Sequence, residues 1–223
     1  VLFNTSHMVT ALASSAWVAH GDKSGLVGVW RSPGKWHRGL RADGTMIQAL
    51  QFTSENRLIA ASDDGWLRVW NVVLGEVVAE WRASNGSVVS LAAGRDFLVT
   101  SGFDRIGIRE PWSLRLWDLE SLQLLSTTGK FGVVTHVCVH DQQKVLFGGP
   151  EHRIYIVGLP DWDILEVLKG HEEAVQAIHS FGQFVASGSA DRTVKLWRCE
   201  RRVCPASESS VDDFSGLLQL EKK

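Results

Sequence analysis

Only three of the 223 residues are cysteine (Cys138, Cys199 and Cys204), an odd number that no disulfide framework explains. No stretch approaches the roughly 20 consecutive apolar residues that a membrane-spanning helix needs. Charge of one sign is equally scarce. The 23 Lys and Arg face 25 Asp and Glu, a net charge of −2 that implies no nucleic-acid or membrane field overall. Catalytic signatures are missing too: there is no GxxxxGK[ST] phosphate loop, no GxSxG elbow and no HExxH helix. Apolar residues spaced 3.6 apart over a helix's length are also absent. What remains fits an intracellular β protein with free thiols, expected in the cytoplasm or the nucleus.

What is present is a unit that returns about every 40 residues and ends in a short apolar run. The runs are SGLVGVW, DGWLRVW, WSLRLW, EHRIYIV and DRTVKLW, closing at Trp30, Trp70, Trp117, Val157 and Trp197. The intervals are 40, 47, 40 and 40, and seven extra residues at 105–111 account for the long one. A fixed period of this size indicates stacked supersecondary units. Each unit also carries earlier apolar segments, such as MIQAL and RLIAAS in the second, and an outer one, clearest in EVVAEW. These segments run four to seven residues between Gly, Asp, Ser and Asn clusters. Four short antiparallel strands per repeat is the layout of a propeller blade, too thin to bury both faces alone.

The fifth unit, GH at 170–171, then AVQAI, then VASGSADRTVKLW, resembles a repeat of the WD-repeat β-propeller family. The resemblance extends over roughly residues 1–204. It implies an all-β propeller and a buried polar set in each complete blade. That set matches His171, Ser189 (or Ser187), Asp191 and Trp197 here. An imidazole, a carboxylate and an indole N–H can satisfy one another when buried. The other units depart from the pattern. The second keeps Ser62, Asp64 and Trp70 but has Asp43 near the His position, and the third keeps Asp104 and Trp117 with Ser84 there. The fourth has Glu151 and Val157, so its polar set is expected to be lost, and the first has Ser24 for the Asp and Thr5 near the His position.

The chain begins inside a repeat, and about five blades are present. The leading expectation is the carboxy-terminal part of a seven-bladed ring; the alternative is a closed five-bladed ring in which 1–3 joins the last blade. Residues 205–223 read as a flexible, polar tail.

Candidate chemistry is sparse. His136, Cys138 and His140 alternate along one strand, a superficial metal pattern that lacks a fourth ligand and reads better as packing between blades. No enzyme, metal or cofactor is expected. Two features suggest partner recognition. The insertion RIGIREP projects over the face on which the second-to-third-strand turns open, and it carries Arg105 and Arg109 beside Phe103; Trp66 lies in the second unit's equivalent turn. The basic stretch 30–44, with Arg31, Lys35, Trp36, Arg38 and Arg41, falls on an outer strand and reads better as a solvated edge. The phosphoinositide-binding FRRG motif is absent, and Trp117–Asp118 is followed by Leu119–Glu120 rather than by the Arg of ligase adaptors. The expected function is a noncatalytic scaffold binding peptides or proteins; the alternative is a targeting module of a larger protein whose enzymatic domain lies upstream.

Overall fold

The computed structural model describes residues 7–199 except 32–35, 43–44, 54–55 and 106–110. The expected boundary at 204 and the tail 205–223 lie outside the described residues. Apolar segments bounded by Asp, Gly and Ser turns form strands only. The first unit is β1 (Val9–Ser14), β2 (Trp17–Asp22), β3 (Leu26–Arg31) and β4 (Trp36–Arg41). The second is β5 (Ile47–Phe52), β6 (Arg57–Ser62), β7 (Trp66–Asn71) and β8 (Glu76–Arg82). In the third, β9 (Ser87–Ala93) and β10 (Phe97–Phe103) precede the insertion, and β11 (Trp112–Asp118) and β12 (Leu124–Thr128) follow it. The fourth holds β13 (His136–Asp141), β14 (Lys144–Gly148), β15 (Arg153–Gly158) and β16 (Asp163–Lys169). The fifth shows three strands among the described residues: β17 (Val175–Phe181), β18 (Phe184–Ser189) and β19 (Val194–Arg198).

Within each unit consecutive strands pair antiparallel, which makes five meander blades. The first strands β1, β5, β9, β13 and β17 pack on one another in that order, so the blades form a β-propeller with those strands innermost. Every described outer strand carries a bulge opposite the closing residue of the strand before it, at Trp30, Trp70, Trp117 and Val157. An extra residue there twists the free edge and makes it a poor template for further pairing.

The core lies between blades, and each seam repeats one pattern. The earlier blade contributes the residues one and three before its closing position, as Val27 and Val29 do. The later blade contributes its inner strand, the residue twelve before its closing position and the closing residue itself, as Ile47, Leu58 and Trp70 do. Leu67 and Val69 meet Leu98 and Trp117 in the same way at the next seam, with Leu98 nineteen before Trp117 because of the seven inserted residues.

The pattern fails at the two ends. Val194 is 80 % exposed, although Leu67, Leu114 and Ile154 at the same repeat position are buried. In the first blade Leu12 is 72 % exposed and Val18 48 %, although Leu50 and Leu58 of the second are buried. Neighbours rather than composition decide burial here. Among the described residues, β17 and β1 show no packing on the scale of the internal seams.

The seams therefore predict unequal costs for matched substitutions. Leu67→Ala should destabilise by about 2–5 kcal/mol in urea melts, because it opens a cavity in a closed seam. Val194→Ala at the same repeat position should fall within about 0.5 kcal/mol of the parent. Equal losses would contradict the assignment of the seam.

Candidate protein-interaction surface

The turns between second and third strands share one end of the blades with the loops that enter the next blade. In the second blade, Ala83 N–H and Ser84 N–H both donate to the Gly65 carbonyl of the turn, at 2.9 and 3.1 Å. A Cβ on Gly65 would stand 2.1 Å from the Ser84 oxygen, and its φ is +84°, so the turn requires glycine. The same loop then reaches forward: Asn85 N–H donates to Asp104 Oδ1 at 2.8 Å, and the Ser84 hydroxyl to the Phe103 carbonyl at 2.6 Å. This loop thus ties its own blade's turn to the next.

Beneath this face, the five blades arrange their polar groups in different ways. In the fifth, Trp197 Nε1–H donates to Ser187 Oγ, whose hydroxyl lies 2.8 Å from His171 Nε2; His171 Nδ1 lies 2.8 Å from Asp191 Oδ2. The serine in this set is Ser187, not Ser189. Strand alternation points both to one side, but Ser189 lies nearer the rim, where its hydroxyl donates to the Glu173 carbonyl. In the third blade Thr100 takes the place of Ser187, accepting from Trp117 Nε1–H at 3.0 Å. Ser84 stands where His171 does, 3.1 Å from Asp104, and Arg115 supplies the cation for that carboxylate.

Arg68 plays the same part in the second blade. It is buried between Asp64 at 3.7 Å and Glu80 at 3.4 Å, and donates to Ser62 Oγ at 3.3 Å. The first blade transposes its acid and its serine. Asp22 Oδ1 accepts from Ser24 N–H at 2.8 Å, the Ser24 hydroxyl at 2.7 Å and Leu26 N–H at 3.1 Å, so Asp22 rather than residue 24 holds the turn. The fourth keeps a bond where none was expected: Tyr155 donates to Glu151 at 2.9 Å, with its ring stacked on Phe147. Asp43 and Thr5 lie outside the described residues.

One cross-strand pair explains this variety. The residues ten and two before the closing position (seventeen and two in the third blade, because of the insertion) face each other: His20 with Gly28, Ala60 with Arg68, Thr100 with Arg115, Phe147 with Tyr155, and Ser187 with Lys195. Except for the stacked rings of Phe147 and Tyr155, a bulky or long partner is matched by a smaller one. The His20 ring fills the space over Gly28, where a Cβ would lie 2.4 Å from it, and stacks on Trp30 at 4.8 Å. Ala60 leaves room for the Arg68 guanidinium. Nothing in residue type alone announces this pairing; the strand register does.

Three of the four predicted partner-binding residues are described, and they stand along one loop. Trp66 opens β7, half-buried, with the Arg68 guanidinium 5.8 Å from its ring, and it pairs across the sheet with exposed Arg82. Phe103 ends β10, 5.3 Å from Trp112 at the start of β11, and exposed Arg105 lies 5.9 Å from its ring. Gly86 packs directly on Phe103, so the loop 83–87 links the two turns. Arg109 and the rest of the insertion, 106–110, lie outside the described residues.

The basic stretch serves the scaffold in part. Arg38 reaches from β4 to the Leu74 carbonyl of the neighbouring blade, and Arg31 lies 5.3 Å from the Trp17 ring. Lys35 is not described. Along β13, His140 Nδ1 bonds Ser180 Oγ of the next blade at 2.5 Å, which accords with packing between blades. Among the described residues no group of three or more His, Cys, Asp or Glu could hold a metal ion. Cys138 and Cys199 are free; burial raises the Cys138 thiol and pushes the Cys199 thiol up to about 11, so neither is poised as a nucleophile. A cleft of about 420 Å³ lies at the opposite ends of the inner strands, lined by Gln51, Cys138, His140 and His179 among others.

Two predictions follow from the polar sets. Ser187→Ala removes the partner of both a buried indole N–H and a buried imidazole and should cost about 1–3 kcal/mol in urea melts. Ser189→Ala should cost less than about 1 kcal/mol, and the reverse order would overturn the assignment of Ser187. Acid stability should respond to Asp104. Burial opposes its ionisation, but Asn85 N–H, the Arg115 guanidinium and the Ser84 hydroxyl outweigh burial and hold its carboxyl below the usual range. Asp22, Asp64 and Asp191 shift the same way. A depressed carboxylate contributes stability that is full above its unfolded value, about 4, and is lost as pH falls through the folded one. Stability should therefore fall on acidification below about pH 4, and Asp104→Asn should flatten that slope. An unchanged acid limb in the variant would contradict the role given to Asp104.

The family model for the WD domain, G-beta repeat, matches residues 36–71 and 162–198. The chain is similar to mitochondrial division protein 1 of Neurospora crassa, 25 % identical over 77 % of this chain and 25 % of that protein. It is also similar to human WD repeat-containing protein 37, 30 % identical over 55 % of this chain and 24 % of that protein. Mitochondrial division protein 1 of Aspergillus niger is 26 % identical over 78 % of this chain and 25 % of its own length. The chain thus spans about a quarter of the length of these curated relatives. Both matched segments end with a third strand closed by tryptophan, and the register of those strands recurs in all five blades: the chain is a WD-repeat β-propeller.

Proposed function

We propose that this chain is a noncatalytic scaffold that holds a peptide or protein partner on the face carrying Trp66, Phe103 and Arg105. WD-repeat propellers generally serve as protein-interaction scaffolds. The observation that carries the reading for this chain is the loop 83–87, which joins Trp66 and Phe103 into one fixed surface with exposed arginines. Aromatic residues and arginine are the types that most often dominate interface energy, and fixed supports lower the entropy lost on binding. An intracellular, cytoplasmic setting belongs to the same proposal, supported by the free thiols of Cys138 and Cys199.

A second reading makes the propeller a recruiting module of a larger enzyme. It is favoured by the length of the relatives, about four times the matched span. Catalytic activity in the complete gene product, with partner capture retained by the propeller alone, would support it.

The scaffold reading is tested by deleting residues 106–109 and, separately, by Trp66→Ala, in partner recovery from cells with the complete gene product. Both variants should lose the partners captured by the parent while the melting temperature of the deletion stays unchanged, because β10 and β11 remain paired. Unchanged capture by both, with loss on Arg38→Glu, would move the site to the rim and overturn the reading.

A further inference from the structure

The charge balance of this face points to the chemistry of its occupant, and we infer that the occupant presents an acidic segment; the inference rests on the face proposed above. The cations and carboxylates of blades two and three divide into two groups. Arg68 is held between Asp64 and Glu80, and Arg115 by Asp104. Those two cations are taken up by three carboxylates, of which Asp64 and Asp104 are partly buried and Glu80 is exposed. Above them, Arg82 and Arg105 are exposed and have no carboxylate partner among the described residues. Arg82 spends only its Nε–H, on the Ser84 carbonyl at 3.2 Å, which fixes the guanidinium and leaves its terminal nitrogens outward. Arg105 lies against the Phe103 ring, which orients a planar fork without satisfying it. The described carboxylate on this face without a cation is Asp63, and the Gln48 amide donates to it at 3.1 Å.

Two oriented guanidinium forks therefore flank half-buried Trp66, Phe103 and Trp112. Carboxylates take such forks in paired, charge-assisted hydrogen bonds, and an apolar side chain between them meets the aromatic edges. The occupant this surface fits is a peptide segment carrying Asp or Glu on either side of an apolar residue. Nucleic acid fits it less well. Phosphate backbones call for a track of cations, whereas the described residues of this face offer two exposed arginines and set Asp63, Asp64 and Asp104 close by, in a chain of net charge −2.

The test uses an array of short synthetic peptides built from Glu, Asp, Leu and Phe, with twins in which the acids become Gln and Asn or Lys. Binding of the full chain is read by fluorescence anisotropy, and a single-stranded oligonucleotide is included. Acidic members should bind, their twins should not, and affinity should fall with salt. Arg82→Glu with Arg105→Glu should weaken binding by about tenfold without moving the melting temperature. The inference is overturned if no acidic peptide binds, or if the Lys twins or the oligonucleotide bind more tightly. Equal binding by acidic and amide twins, lost on Trp66→Ala, would leave the face standing and remove the acidic occupant. Acidic binding insensitive to the arginine reversals would remove the face itself.

Discussion

A four-stranded blade has two apolar faces and too little thickness to bury either, and the whole molecule follows from that constraint. Each seam is closed by one blade's Val27-type and Val29-type residues against the next blade's inner strand and closing residue, tryptophan or, in the fourth blade, Val157. Val194 shows how completely the neighbour decides the outcome. It occupies the same repeat position as Leu67, Leu114 and Ile154, with the same apolar character, yet is exposed because no blade packs on it among the described residues. The hydrophobic effect here acts between units, so the period of the sequence and the period of the core coincide.

Because the seams carry the packing, the polar sets are free to vary. His171, Ser187 and Asp191 form one solution. Arg115 with Asp104, and Arg68 with Asp64, form another in which the partner of the turn carboxylate comes from the third strand of the same blade rather than from the entering loop. Both place a cation or donor against the turn carboxylate, and both leave the turn held by backbone N–H groups. The first blade reaches the same end with its acid two residues earlier, since Asp22 Oδ1 collects the N–H groups of Ser24 and Leu26. What the fold requires is an acceptor at the turn, and several side-chain geometries provide one.

That distinction separates what could be read from residues and what could not. The closing tryptophans and the seven-residue excess were legible because register is a matter of counting, and an insertion between paired Phe103 and Trp112 leaves the count on either side intact. The choice between Ser187 and Ser189 was not legible. Both serines face the same side, and only their depth relative to Trp197 separates them. Nor could the string of letters show that Ala60 makes space for Arg68, or that Gly28 makes space for His20, because those are distances across a sheet. Arg38 looked like solvated edge, and its contact with the Leu74 carbonyl depends on how two blades are set against each other. At the candidate site, residue types indicated Trp66, Phe103 and Arg105 but gave no sign of Arg82, whose place beside Trp66 comes from the pairing of β7 with β8.

The same separation bears on function. A loop that ties one blade's turn to the next, as 83–87 does, holds the surface without using the side chains that project from it. Trp66 and Arg105 are therefore poorly explained as supports. Arg105 makes no ion pair among the described residues, and it extends a hairpin that would close without it, since Asp104 N–H already bonds the Pro111 carbonyl. Arg115 and Arg68 mark the contrast: each is sunk against a carboxylate, where it completes the blade. An arginine left outward, with no carboxylate partner among the described residues, has its charge available to something else. The fold determines where such a residue stands, and recognition depends on what its fork can meet there.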